Sequence, residues 1–437
     1  MKAERRGEAF AEYVAAGQRC GGPAVFLTLM ATMLGASATL GVAEKAEKIG
    51  FPAAWWLLAG AAGLALQGWM LSERIRESGA WTLPELAGQV AGPWARRLVA
   101  AVIAVSWPGV VGAQFAAAGG VLAALLGVDA RWAMAGFAVV VALYTWAGGQ
   151  RAVVGSDAIE MAVLALGFGG LFGWVFGGRL DGTNVPIEEI RLLGPGFGAR
   201  EAVLTVLTVG GAYFLGPDIA SRSLVARDGR TARRAVLWAA PVLALFGVGI
   251  ALAGMWAGCN APGDGNAVLR IAALLPWPLR WSLAGGIVAA LLSSADTCLV
   301  NAGAIIAHDL GGTESVRAAR WAVAAVAAAA LGLAMAGGDI IGILLRAYSV
   351  YTPGIVCPLA VALVAGRVRQ GPWLGAVAAG GACGLAGTLG VASDILPVVG
   401  MGLSLALALA AVRGKARVRR GGRGWDGAGD RGGTGGA

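Results

Sequence analysis

Leu34-Gly35-Ala36-Ser37-Ala38-Thr39-Leu40-Gly41 and Gly210-Gly211-Ala212-Tyr213-Phe214-Leu215-Gly216-Pro217-Asp218 lie in the middle of long apolar runs, yet both are ill suited to a plain helix. Glycine and proline weaken the helical hydrogen-bond ladder. At mid-membrane depth, freed backbone groups are tolerated only against protein or a water-filled cavity. A matching pair of interrupted spans in two halves of a chain points to a transporter binding site. Spacing leaves a second reading open, in which the glycines only let helices pack closely.

Around these stretches the chain is overwhelmingly apolar. Of 437 residues, 57% are hydrophobic and 14% charged, about half the charge of an ordinary soluble domain. Runs such as Ala54–Leu71, Leu98–Leu126, Ala235–Ala257 and Trp321–Ala336 approach or exceed the roughly 20 residues a spanning helix needs. Twelve spans are expected, at about 23–43, 53–72, 98–126, 132–149, 157–177, 201–220, 235–257, 279–307, 320–336, 340–364, 373–390 and 395–412. The fold class is therefore all-α, a polytopic membrane protein in a lipid bilayer, and a soluble globular domain is excluded.

The formal charge of +9 does not imply a nucleic-acid partner, because the basic residues gather in alternate loops. One set includes Arg5, Arg19, Arg74, Arg96, Arg151, Arg227, Arg234 and Arg317, with Arg413 to Arg431 in the tail. The positive-inside rule then places both termini in the cytoplasm, with the chain in the cell's inner membrane. The N-terminal segment 1–22 is charged, so no cleavable signal is expected. The outer loop Gly178–Arg200 is expected to hold a short surface helix, and the basic, Gly-rich tail 413–437 to be disordered. Five scattered cysteines suggest neither a metal motif nor a disulfide framework.

The eighth span carries Ser293, Ser294, Asp296, Thr297 and Asn301. The hydroxyl and amide residues follow three- and four-residue steps and so share one broad helix face. Such oxygens suit a small hard cation, although single hydroxyls in spans commonly bond back to their own helix. Acids at membrane depth invite the same question. Asp157 is open to reading as a helix cap or an ion group, Glu160 lies one turn further in, and Asp218 is expected to pair with Arg222. Arg346 falls inside the tenth span and should need a carboxylate or carbonyl partner, while His308 is read as a helix-end residue.

In these residues the sequence resembles the sodium/solute symporter family, which includes proline, pantothenate and sugar carriers. The resemblance rests on Tyr144 to Glu160 with its glycine pair and Asp157, on Gly216-Pro217-Asp218 with trailing Arg222, and on Ala290-Leu291-Leu292-Ser293-Ser294-Ala295-Asp296-Thr297. Trp81-Thr82-Leu83-Pro84-Glu85 and the Ala-Gly-Gln-Arg segment ending at Arg19 also fit. The resemblance implies a five-plus-five inverted-repeat core of the leucine-transporter type over 23–364, with two further helices over 365–412. It implies a sodium ion held by backbone carbonyls of Ala36, Thr39 and Ala290 and the hydroxyls of Ser293 and Ser294, with Asp157 on the ion's path. Tyr213 matches a substrate-side aromatic, and Gly216 stands where proline carriers have Gln, which argues against proline as cargo. Family members usually carry one more helix before the Ala-Gly-Gln-Arg segment. Only about fifteen polar residues stand there, so either this branch lacks that helix or the start site is placed late; the helix lies outside the ten-helix core, and the ion site is expected to survive its absence.

The expected function is sodium-coupled import of a small organic solute by alternating access, with Ser37, Gln114, Tyr213 and Gly216 near the solute. A membrane solute sensor and a proton-coupled carrier of the same fold are the alternatives. No enzyme is expected, since the sequence shows no His cluster, phosphate-binding loop or activated nucleophile.

Overall fold

A computed structural model describes residues 2–177, 190–337, 340–389 and 395–412, with side chains from residue 7 onward. The expected surface helix after Gly178 falls largely, and the expected tail disorder wholly, outside the described residues. Nineteen α-helices account for nearly all of the described chain, and no strand forms. The first half comprises α1 (Lys2–Ala15), α2 (Gly22–Met33), α3 (Val42–Ile49), α4 (Trp55–Met70), α5 (Ser72–Glu77), α6 (Leu83–Ala91), α7 (Pro93–Leu126) and α8 (Ala130–Phe176). The second comprises α9 (Ala199–Thr205), α10 (Gly211–Leu215), α11 (Pro217–Leu224), α12 (Gly229–Asn260), α13 (Ala267–Leu274), α14 (Trp277–Ile305), α15 (Val316–Met335), α16 (Ile340–Tyr351) and α17 (Cys357–Ala365). Two more, α18 (Gln370–Thr388) and α19 (Leu396–Ala411), pack against each other beside the α16–α17 span.

Among the described residues, seven helical stretches are long and apolar enough to cross a membrane, and the bent pair α2–α3 makes an eighth. The stretch at Ala130–Phe176 accounts for two of the expected crossings. Tyr144 Oη donates to Ala152 O at 2.9 Å and meets Ser156 Oγ at 2.8 Å. In a straight helix residues 144 and 156 would stand about 18 Å apart, so the chain folds back on itself between them. The reversal occurs at Gly149, whose φ of 59° belongs to the left-handed region. Position 149 has a second constraint: an added Cβ would run into the ring and carbonyl of Tyr13. The shorter apolar helices, such as α4 and α19, leave the total short of a confirmed twelve.

Helix α14 lies nearest the centre. Its most apolar window is 78% buried, against 33% for the outer stretches α8 and α15. Long side chains facing outward from the bundle, among them Trp132, Trp238, Leu245 and Trp277, are exposed, as lipid contact requires. Arg346 is also exposed on α16. Its side chain therefore lies outside the packed core.

One end of the bundle is closed by polar ties. Ala16, Gly17 and Gln18 all take positive φ, and this turn is held by Gln18 Nε2 donating to Ala80 O at 3.1 Å. Cys20 pairs with the end of α11 through its N–H to Val225 O and its carbonyl to the Arg227 N–H. Nearby, Arg96 Nε lies 2.5 Å from Asp309 Oδ1, Thr82 Oγ1 donates to Asp309 Oδ2 at 2.7 Å, and Phe10, Trp81 and His308 cluster. Burial alone would raise the Glu85 carboxyl. The His308 ring 3.5 Å away, the hydrogen bond from the Trp81 N–H and the nearby Arg96 charge outweigh it and hold Glu85 below its ordinary value.

Gly149→Ala should lower thermal stability in detergent by at least ~1 kcal/mol, through left-handed strain and collision with Tyr13. Gly155→Ala, where a Cβ meets open space, should leave it within about 0.5 kcal/mol. Equal melting temperatures for the two variants would refute the reversal at Gly149.

Candidate functional site

Helix α2 stops at Met33, because Leu34 leaves helical geometry (φ −91°, ψ 35°). A helix end leaves its last carbonyls without N–H partners. The Ala36 N–H, which would have returned to Thr32, is donated to Gln114 Oε1 at 2.8 Å instead. Serines from α14 take up the open carbonyls: Ser293 Oγ donates to Ala31 O at 2.8 Å and Ser294 Oγ to Thr32 O at 2.8 Å. Ser293 Oγ also lies 3.4 Å from Ala290 O. Gly35 permits this approach, since a Cβ there would run into Ser294 Oγ. Carbonyl and hydroxyl oxygens thus meet at the negative end of the α2 dipole. That is an oxygen set suited to a hard cation.

The serine hydroxyls meet Ala31 and Thr32, not Ala36 and Thr39. Ala36 contributes its N–H to Gln114, and Thr39 Oγ1 donates to Gly35 O at 2.8 Å. The reason is local: the break spans 34–36 and the helix resumes at Ser37 with a wide π-type turn. The open carbonyls are consequently those just before the break.

The second interruption is at Gly216, extended at ψ 146° between α10 and α11. Pro217 has no N–H to continue the ladder, and the exposed Leu215 carbonyl accepts the Tyr351 hydroxyl. Between the two breaks lies a cavity of about 30 Å³, room for about two waters. Ser37, Gln114 and Tyr213 line it together, as do Trp107, Tyr348 and Asp218. Gly216 marks the break and is not part of the lining.

Beside the serine pair lies a buried charge cluster. Asp157 is not a helix cap, because it sits eight residues past the Gly149 turn with its side chain fully buried, accepting a hydrogen bond from Thr28 Oγ1. Arg222 does not pair with Asp218. Its Nη2 lies 3.6 Å from Asp157 Oδ2, with both side chains fully buried. Arg222 donates to Thr32 Oγ1 from Nε at 3.1 Å and Nη2 at 2.8 Å, and also to Thr297. Asp296 accepts from Thr297 Oγ1 at 3.4 Å, and Glu160 is buried one turn beyond Asp157. Thr32 therefore serves both groups, its carbonyl meeting Ser294 and its hydroxyl meeting Arg222.

Ala31, Thr28, Thr32, Trp107 and Tyr348 escaped sequence reasoning, because apolar and hydroxyl residues in a span look like lining until their neighbours are known. The i,i+4 spacing of Asp218 and Arg222 was a misleading signal. It describes one helix face, whereas the long Arg222 side chain finds a better partner on α8. Removing one member of a buried ion pair strands the other, at ~3–5 kcal/mol. Arg222→Met should therefore destabilise the protein strongly, and adding Asp157→Asn should restore part of that loss. Simple additivity in a double-mutant cycle of detergent melting would refute the coupling.

The model of the Sodium:solute symporter family matches residues 13–380. No curated protein matches the sequence. Among solved structures, the chain is similar to a Na+-coupled sialic acid symporter in a substrate-bound outward-open state, with TM-score 0.73 and 15% identity, covering 94% of this chain and 93% of that one. It is also similar to Mhp1, a nucleobase-cation-symport-1 family transporter, in a closed conformation with bromovinylhydantoin bound, with TM-score 0.64 and 15% identity, covering 91% and 93%. At that identity the likeness speaks for the fold, and the family match carries the rest. A multi-pass helical chain with two interrupted spans, an oxygen-lined pocket at a helix end and a match over most of its length belongs to the sodium:solute symporter family, as a sodium-coupled carrier of the five-plus-five inverted-repeat fold.

Proposed function

We propose that the chain imports a small organic solute with sodium, and that sodium is held between α2 and α14 by the carbonyls of Ala31, Thr32 and Ala290 and the hydroxyls of Ser293 and Ser294. The observation that carries this reading is the pair of 2.8 Å contacts from the two serines to the last carbonyls of α2. A bound cation would replace those hydrogen bonds with coordination and tie the broken helix to α14. Asp157, linked through Arg222 to Thr32, stands on the path by which the ion leaves. The charge cluster would register the ion through that shared threonine.

Solute is taken between the two breaks, against Ser37, Gln114 and Tyr213, with Gly216 supplying the bend. Gln114 connects the two halves of the site, since its amide oxygen holds the Ala36 N–H beyond the break. A cavity of about 30 Å³ is too small for a solute larger than a few waters, so binding requires the helices to part. Coupling follows if sodium and solute favour the same arrangement, because a ligand shifts an equilibrium only by its differential affinity. Each charge moved inward gains about 2.3 kcal/mol per 100 mV, over tenfold in solute gradient.

The ten-helix core is assigned to 23–364 and the added helices to 365–412, in the inner membrane with both termini cytoplasmic. The carrier acts without covalent chemistry on its cargo and without nucleic acid.

Binding of 22Na+ to the purified protein should be saturable and should be lost in Ser293→Ala/Ser294→Ala. Retention of wild-type affinity in that double variant would remove the site assignment. Excess potassium or a shift of pH should not displace the label, which separates a sodium carrier from a proton carrier. Electrogenic currents from proteoliposomes on addition of solute would distinguish a carrier from a sensor, which binds without moving charge.

A further inference from the structure

We infer that the solute of this carrier is a small organic cation, a primary or methylated ammonium compound. The inference rests on the reading of the cavity between the two helix breaks as the solute site. Its first support is the lining. Asp218 is the charged residue there, and no Lys, Arg or His is among the lining residues. A solute carboxylate or phosphate would meet no protein cation in this cavity.

Asp218 also lacks a cationic partner among the described residues. The nearest basic group in sequence, Arg222, turns away to Asp157, Thr32 and Thr297. A buried carboxylate is costly unless it is paired and hydrogen-bonded. The first turn of α11 offers Asp218 the favourable end of a helix dipole, which lowers that cost without supplying a counter-charge. The balance of the surroundings has the same sign. Four buried acids, Asp157, Glu160, Asp218 and Asp296, are met by one buried arginine, Arg222. One oxygen each of Asp157, Glu160 and Asp296 has no hydrogen-bond partner.

The walls decide what kind of cation. Trp107, Tyr213 and Tyr348 line the cavity together with Asp218. Aromatic faces attract ammonium groups through the ring quadrupole and are the usual recognition device for methylated ammonium. An ammonium group exchanges a weaker hydration shell for ring faces and one carboxylate. Carrying it inward with sodium would also move two charges per cycle, so the membrane potential would act on the solute directly.

The test compares charge at constant shape. Binding of choline and of ethanolamine to the purified protein in saturating sodium is measured by its tryptophan fluorescence. Each is set against a neutral isostere, 3,3-dimethylbutan-1-ol for choline and 1-propanol for ethanolamine. At least one cation should bind tenfold or more tightly than its isostere, and Asp218→Asn should level the pair. Equal affinities in the wild type, or no binding of either cation, would overturn the proposal, as would tighter binding of acetate or glucose than of both cations. The isostere comparison needs no variant, so it decides even if Asp218→Asn fails to fold. Measuring 22Na+ binding on the same preparation separates the two readings. Sodium binding without cation preference overturns only this inference, whereas absence of sodium binding removes the sodium site beneath it.

Discussion

The architecture depends on a single constraint: a backbone carbonyl inside a bilayer must have a partner, and the interruption of α2 leaves several without one. Each neighbouring element answers with a polar side chain. Helix α14 brings Ser293 and Ser294 to the Ala31 and Thr32 carbonyls, and α7 brings Gln114 to the Ala36 N–H. Just ahead of α13, Asn266 Nδ2 reaches the Leu40 carbonyl at 3.1 Å. Groups that make the break affordable are the same groups that can hold an ion, because a hydroxyl donating to a carbonyl and a hydroxyl ligating sodium occupy nearly the same place. Structural satisfaction and the proposed ion binding would thus be alternative states of one set of oxygens.

Charge is handled by the same logic at larger scale. Arg222 is fully buried and divides its donors between Asp157 and the hydroxyls of Thr32 and Thr297. Those contacts join α11, α8, α2 and α14 at one point. A cation arriving at the serine pair alters the field felt by Arg222, and Thr32 carries the connection covalently. Such a cluster is not strong evidence for stability, since desolvation offsets most of the attraction. It does link the neighbourhood of the serine pair to four helices.

How far the chain could be read in advance varied with the range of the physics involved. Apolar runs declare spans directly, because a bilayer's thickness sets their length, and Gly-Pro interruptions declare breaks. The serine pair was legible because two adjacent hydroxyls beside an acid are unusual in a span. Which carbonyls face that pair was not legible, since carbonyls belong to every residue and nothing in a side-chain pattern marks which ones a bend leaves open. Asp157 is open to reading as a helix cap because the fifth expected span starts there. In the fold one glycine makes the whole turn, and Asp157 falls inside the following helix.

By itself the sequence determined the helical membrane class, the family, two candidate interruptions and the residues able to offer oxygen to a cation. Hydropathy, glycine and proline act locally, so their consequences can be read without knowing neighbours. Only the tertiary structure decided which carbonyls face Ser293 and Ser294, that Arg222 answers Asp157 rather than Asp218, and that Asp218 shares a cavity with Trp107, Tyr213 and Tyr348. Those pairings join residues from well-separated parts of the chain. Packing of one helix against another sets them, and no spacing along the chain encodes it.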